Sequence, residues 1–368
     1  MEKVAVRNAT FEDEQLVNNL CQRNALSGEI SPQAWNWIWK DNAYYSETWP
    51  IGWVLESNNI IVGYIGNIPR AYSLNGDTWI AGVARSFVVD EEFRRYSLKL
   101  LSKFFQQKEA DLLIFSSANN LSSSIYKMVK AKPIPQDSFD TDLFWIVSPL
   151  SFIYSLLRKK RVPKSLSLLI SYLIAPFFMF ENLVRNRWPK GENFDVEISI
   201  PKKLTTGIDK LWHQIKANNP NKLLSYRDRD SILWQYDNDS AKNRNPLIFT
   251  LMKNNEMLGY LIAVEMNSIE YDLKRIVIDD LIVYDNDATS IVFLVKEAFL
   301  YAQKNDVDIL QFTGFPENIR DALKLTKPFS RKYSYSRFWY YVLNKDLEKP
   351  LKKKSTWYAS LFDGDSSI

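Results

Sequence analysis

Apolar residues along this chain recur at every second position, or in short unbroken runs, in some segments and at helical spacing in others; that alternation predicts strands exchanging with helices. In the first half the pattern gives strands at 4–7, 52–55 and 60–67, the last two joined by a Ser-Asn-Asn turn. After the turn Asn75-Gly76-Asp77 comes a long apolar strand at 78–89. A helix at 98–107, a strand at 111–115, a helix at 121–130 and a closing strand at 143–147 follow. The second half reads as helices at 208–217 and 230–236, then strands at 247–252, 257–266, 275–283 and 309–312. Helices at 288–304 and 319–325 intervene, and an aromatic strand at 336–343 closes it.

Two segments can be laid over one another. Residues 87–126 and 275–323 both run strand, polar loop, helix, strand, with Asn119 and Asn318 after the last strand. The expected fold is therefore mixed α/β with two similar units, each a mixed central sheet covered by helices. Units at 1–147 and 201–345 would flank a helical insert at 148–200, with a tail at 346–368. A length of 368 residues suits two domains.

The insert does not fit the repeat. Its apolar stretch, 166–180, is flanked by Arg158, Lys159, Lys160, Arg161 and Lys164 on one side and by Arg185 and Arg187 on the other. The stretch is shorter than the roughly 20 residues a bilayer needs, and Pro176 interrupts it, so spanning is not expected. Two readings stay open. One is a helical linker packed across both halves with solvated basic residues; the other is an interfacial helix pair on anionic lipid, with basic flanks and Trp188 at the interface, in contact through 158–187.

With 46% hydrophobic and 24% charged residues the composition is that of an ordinary globular protein. Cys21 is the single cysteine, so no intramolecular disulfide can form and a reducing cytoplasm is the default, with attachment to the inner face of the cell membrane under the second reading. The first residues lack an apolar run behind a basic start, so no signal peptide is expected. Lys and Arg (47) barely exceed Asp and Glu (43), which does not favour a nucleic-acid partner. One histidine, His213, with one cysteine excludes a Cys/His metal site and a protease-type pair, and no metal is expected.

Candidate chemistry sits in the first copy of the repeat. Its loop reads Arg94-Arg95-Tyr96-Ser97-Leu98-Lys99, and after the next strand Asn119, Ser122 and Tyr126 stand three and seven positions apart. This order resembles the acyl-CoA-binding core of the Gcn5-related N-acetyltransferase (GNAT) superfamily, whose loop has the form Arg/Gln-x-x-Gly-x-Gly/Ala. The resemblance implies that backbone N–H groups around Arg94, Arg95, Tyr96, Ser97 and Lys99 hold the pyrophosphate of acetyl-CoA or another acyl-CoA at a helix N-terminus. Ser97 and Lys99 stand where the family has small residues. It further implies that the pantetheine arm lies along Phe87, Val88 and Val89, that Asn119 and Ser122 belong to the cofactor site, and that Tyr126 protonates the leaving thiolate. A phenol near its ordinary pKa of about 10 can supply that proton. Arg85 or Ser86 would face the acceptor; strand alternation leaves open which.

The second copy carries Tyr284-Asp285-Asn286-Asp287 at the loop, where carboxylates would repel phosphate, so it is expected to wall the acceptor site instead. One copy that keeps the basic loop and one degenerate copy, together with Tyr226-Arg227-Asp228-Arg229, Trp234-Gln235-Tyr236, Gly314-Phe315-Pro316-Glu317-Asn318 and the tail Trp357-Tyr358 with Asp363-Gly364-Asp365, resemble the FemABX transferases and their relatives in envelope-polysaccharide clusters, implying N-acylation of a small-molecule or lipid-linked amino sugar. Asp279 and Asp280, on a central strand, are the candidate general bases, with a salt bridge to Arg275 or Arg229 as the alternative. Trp35, Trp37 and Trp39 would share one strand face and offer a sugar platform, although Ser31-Pro32 also fits a helix start. Two other functions stay open: an aminoacyl-tRNA-dependent transferase, and a non-catalytic membrane-associated scaffold on the same fold.

Overall fold

The computed structural model describes residues 4–26, 30–185, 188 and 194–365, so Arg187 of the basic flank lies outside the described residues. The strands are β1 (Val4–Asn8), β2 (Gly52–Ser57), β3 (Ile60–Leu74), β4 (Asp77–Val89), β5 (Leu112–Phe115), β6 (Lys132–Pro133), β7 (Thr141–Ile146) and β8 (Asp195–Ser199). They continue with β9 (Leu224–Ser225), β10 (Leu247–Lys253), β11 (Glu256–Glu265), β12 (Arg275–Val283), β13 (Ile309–Thr313), β14 (Phe329–Lys332) and β15 (Trp339–Val342). One sheet has the order β1-β2-β3-β4-β5-β15-β6, with β9 beside β3; the other runs β14-β7-β13-β12-β11-β10-β8. Both are mixed, and each supports its own hydrophobic core.

The repeat is visible as one parallel pair inside each otherwise antiparallel sheet. β4 and β5 are linked through the helix Ser97–Phe105, and β12 and β13 through the helix Ala288–Lys304. Such crossovers need a helix to carry the chain back over the sheet.

The closing strands correct the sequence reading. β7, expected to close the first unit, pairs with β13 and β14 of the second sheet (Leu310 opposite Trp145). β15, expected to close the second, pairs with β5 and β6 of the first (Trp339 opposite Phe115). The halves thus exchange strands, and no single cut between 147 and 201 separates two closed sheets. Both exchanged strands are short, apolar and aromatic, so either sheet edge satisfies them equally and their composition does not disclose the partner.

The tryptophans form a helix and a core. Pro32–Lys40 is helical, with the Ser31 hydroxyl accepting the Ala34 N–H at 3.1 Å and Pro32 in the first turn, where its missing N–H costs nothing. Trp35, Trp37 and Trp39 are buried. The indole N–H groups of Trp39 and Trp49 both donate to the Asn67 carbonyl at 2.9 Å. These rings fill the first core and present no sugar platform.

In the insert, helices Pro149–Lys159 and Lys164–Arg185 pack as a hairpin against the second sheet. Trp188 lies between Trp145 and Phe299, at centroid distances of 5.9 and 5.3 Å, so it packs on protein.

The tail is pinned between the sheets. Arg227, just past β9, gives its Nε–H to Asp280 of β12 at 2.8 Å and an Nη2–H to Asp363 of the tail at 3.1 Å, and all three side chains are essentially excluded from water. Tyr260 and Ser360 donate to Asp280 at 2.7 and 2.8 Å, and Ser225 donates to Asp363. Burial pulls the Arg227 guanidinium down, but the facing carboxylates hold it well above its ordinary pKa, so the ion persists. Removing one partner strands a buried charge, which costs about 3–5 kcal/mol. Arg227→Met is expected to lower unfolding stability by about that amount, read as a lower urea midpoint at unchanged slope.

Candidate active site

β5 pairs β4 only through Ala81, Gly82 and Val83, and beyond them the strands diverge. Just past that point β4 bulges. Tyr64 faces Val88 and Gly66 faces Arg85, so Ser86 and Phe87 together oppose the single Ile65, and Ser86 takes φ +52° in the left-handed region. An extra residue kinks the strand and breaks the ladder. The β5-facing edge of 84–89 then presents backbone donors and acceptors that an extended ligand can complete as an added strand.

The divergence opens a cavity of about 240 Å³ whose lining includes Ser86, Phe87, Asn119, Ser122, Tyr126 and Asp365. The spacing that marked Asn119, Ser122 and Tyr126 has a local cause. The Asn119 side chain caps the helix Asn120–Met128, accepting the N–H groups of Leu121 and Ser122 at 2.9 Å, and the Ser122 hydroxyl accepts the Asn119 N–H at 2.9 Å. Seven residues is about two helical turns, which brings Tyr126 back over the cap on the same face. The ring packs against Phe115 at 4.3 Å between centroids. Burial, and then the nearby charge of Asp365, push its phenol above the ordinary value, against the Ser122 hydrogen bond, so Tyr126 is un-ionised at neutral pH and a weaker acid than a free phenol.

Asp365 was missed in the sequence reading. Its carboxylate accepts the Ser116 and Ser117 hydroxyls at 2.7 and 2.9 Å, and its N–H donates to Ser116 at 2.9 Å. A side chain at Gly364 would collide with Ser116, which is why the tail can approach β5 so closely there. The Asp363-Gly364-Asp365 run was visible, but nothing local in it points to a cleft far away in sequence.

The other predicted positions divide. Of the pantetheine positions, Phe87 lines the cavity, whereas the side chains of Val88 and Val89 point into the core and leave only backbone available. Of Arg85 and Ser86, the serine lines the cavity and the half-buried arginine does not. The basic loop lies outside this cavity. Glu91–Tyr96 forms tight helical turns that run straight into Ser97–Phe105, and the Ser97 N–H is already bonded to the Arg94 carbonyl. Arg94 pairs with Glu91 at 3.6 Å, Arg95 lies over the Tyr96 ring, and the Lys99 ammonium donates to the Val4 carbonyl at 2.9 Å. None of Arg94, Arg95, Tyr96, Ser97 and Lys99 lines the cavity.

The proposed bases are also corrected. Asp280 is held by Arg227, Tyr260 and Ser360, while Asp279 accepts from Arg244 at 2.8 Å and from Tyr236 at 3.3 Å. The salt bridges of the alternative reading exist, but with Arg227 and Arg244 rather than Arg275 and Arg229. Burial raises the Asp279 carboxyl despite Arg244. Neither aspartate lines the cavity, whose carboxylate is that of Asp365.

The second sheet repeats the divergence but fills it. Beyond the paired Ile278 and Phe312, the tail bonds to both diverging ends: Phe315 N–H to the Ala359 carbonyl at 2.8 Å, Tyr358 hydroxyl to the Leu281 carbonyl, and Ser360 to Asp280. A larger cavity of about 500 Å³ lies under the insert, but its carboxylate, Asp142, is committed to Arg331 and Arg337 at 2.7 and 2.9 Å. It offers no comparable acid and base.

No family model and no curated protein matches the chain. Solved structures do. A GCN5-related N-acetyltransferase from Anabaena variabilis ATCC 29413 is similar at TM-score 0.57 and 12% identity, over 93% of this chain and 73% of that one. A protein of unknown function from Enterococcus faecalis V583, described as a probable N-acyltransferase, gives 0.56 and 8%, over 93% and 73%. N-myristoyltransferase from Saccharomyces cerevisiae, solved with myristoyl-CoA bound, gives 0.54 and 10%, over 92% and 82%. At these identities what is shared is the GNAT fold. Within it, Asn119→Ala should remove the cap that positions Tyr126 and cost about 1 kcal/mol of stability, measured by urea unfolding.

Proposed function

We propose that the protein transfers an acyl group from an acyl-CoA, with acetyl-CoA the simplest donor, to an amine in the cleft between β4 and β5. The observation that carries this is the bulged, diverging edge of β4 facing a neutral buried phenol and a carboxylate across one cavity. The pantetheine arm would bond to the backbone of 84–89, whose N–H groups are also the donors available to the thioester oxygen. The amine nitrogen attacks the thioester carbonyl and the C–S bond breaks. One proton leaves the nitrogen for Asp365, directly or through water, and one passes from Tyr126 to the sulfur, so both charges are met where they form. The acyl-CoA donor is carried to this chain from the yeast neighbour, which binds myristoyl-CoA.

The acceptor we propose is an amino sugar or a sugar-linked precursor, as in bacterial surface polysaccharide synthesis. Support comes from a second cavity of about 270 Å³ at the junction of the halves, walled by Tyr44, Tyr226 and Trp234, with Asp41 and Asp230 outnumbering the one lining cation, Arg70. Aromatic faces suit the C–H faces of a sugar ring, and carboxylates attract an ammonium group. Thiol release from acetyl-CoA in the presence of amino sugars tests the proposal. Tyr126→Phe and Asp365→Asn are each expected to lower turnover about a hundredfold or more while leaving acetyl-CoA binding intact. Undiminished turnover in either variant would remove that residue from the mechanism, and no release with any amine would overturn the reading.

A further inference from the structure

The hairpin of the insert carries a face that the fold leaves uncovered. On the helix Lys164–Arg185, Ser167, Ser171 and Ala175 are buried against the protein. Phe178, Asn182 and Arg185 continue the same stripe: Phe178 packs on Phe329, Asn182 donates to the Ile146 carbonyl at 2.7 Å, and Arg185 lies over the Phe329 ring. Those six positions recur every three or four residues, which is one face of a helix. The opposite face holds Leu169, Tyr172, Leu173, Phe177, Phe180 and Leu183, each 59–80% exposed. Contiguous apolar surface of this kind on a soluble body marks an interaction site.

Charge identifies the partner. No acidic or basic residue occurs between Lys164 and Glu181, and Glu181 is neutralised by Arg185 at 2.7 Å. At the other end Lys159, Lys160, Arg161 and Lys164 form an exposed collar, and none of them makes an ion pair among the described residues. An apolar face edged by unpaired cations is complementary to acyl chains beneath anionic headgroups. By length and composition this helix is long and apolar enough to cross a membrane. Its charge-free run of 165–180, however, extends only about 24 Å against a hydrocarbon core of about 30 Å. The stripe that packs on the protein extends from Ser167 to Arg185, which keeps the helix alongside the folded body.

We propose that this face seats the protein on an anionic lipid bilayer, with the helix Lys164–Arg185 lying in the plane of the interface and the collar on the headgroups. The proposal goes beyond acyl transfer and does not depend on it. Sedimentation of the full chain with vesicles of phosphatidylcholine, alone or mixed with phosphatidylglycerol, tests it. The protein pellets with the mixed vesicles, salt releases it, and Lys159→Ser and Lys160→Ser each weaken partitioning about fivefold. Leu173→Glu combined with Phe177→Glu abolishes pelleting without altering the thermal melt, because both side chains project into solvent. Wild-type protein that stays in solution with the mixed vesicles overturns the proposal. So does a dimer seen by light scattering that the double variant splits, since a second copy would then cover the face.

Discussion

A buried cluster of one guanidinium and two carboxylates ties the two sheets and the tail together. Arg227 follows β9, which is paired to β3 of the first sheet; Asp280 belongs to β12 of the second; Asp363 belongs to the tail. Ions so far from water are tolerable only when every donor and acceptor is met. Here the hydroxyls of Ser225, Tyr260 and Ser360 complete the set. A contact of this kind adds little net stability over an apolar one, but breaking it strands a buried charge, which penalises arrangements that part the three segments it joins.

That arrangement makes two similar units behave differently. Each sheet parts its central parallel strands, and a parted pair is an invitation to an extended ligand. In the second sheet the chain accepts its own invitation, with Tyr358, Ala359 and Ser360 bonded to the diverging ends. Two residues past the Asp363 anchor, Asp365 arrives beside Ser116 and Ser117 at the rim of the first divergence. The tail thus fills one cleft and furnishes the other with a carboxylate.

The parts legible in the sequence were those set by local physics. The hydrophobic periods located the β4 and β12 units and their crossover helices, and the spacing of Asn119, Ser122 and Tyr126 marked a capped helix that the structure contains. Strand partners were less legible, since β7 and β15 are interchangeable in composition and only the assembled sheets distinguish their edges. Arg94, Arg95 and Lys99 were legible as a basic loop, but sequence reports charge and not its direction; their side chains turn to Glu91, Tyr96 and Val4. Asp279 and Asp280 were marked as functional by their position in an apolar strand, which is equally the signature of a buried ion pair. The Asp363-Gly364-Asp365 run stood out in the sequence, but nothing in it pointed to the cleft, since the Ser116 partner of Asp365 lies 249 positions away.

Under the proposed function, two parted strand pairs give one usable acyl-CoA site, because the tail occupies the other. Calorimetric titration of the full chain with acetyl-CoA tests it most directly. Saturation at one molecule per chain is expected; two per chain, or no binding even at millimolar ligand, would contradict that reading.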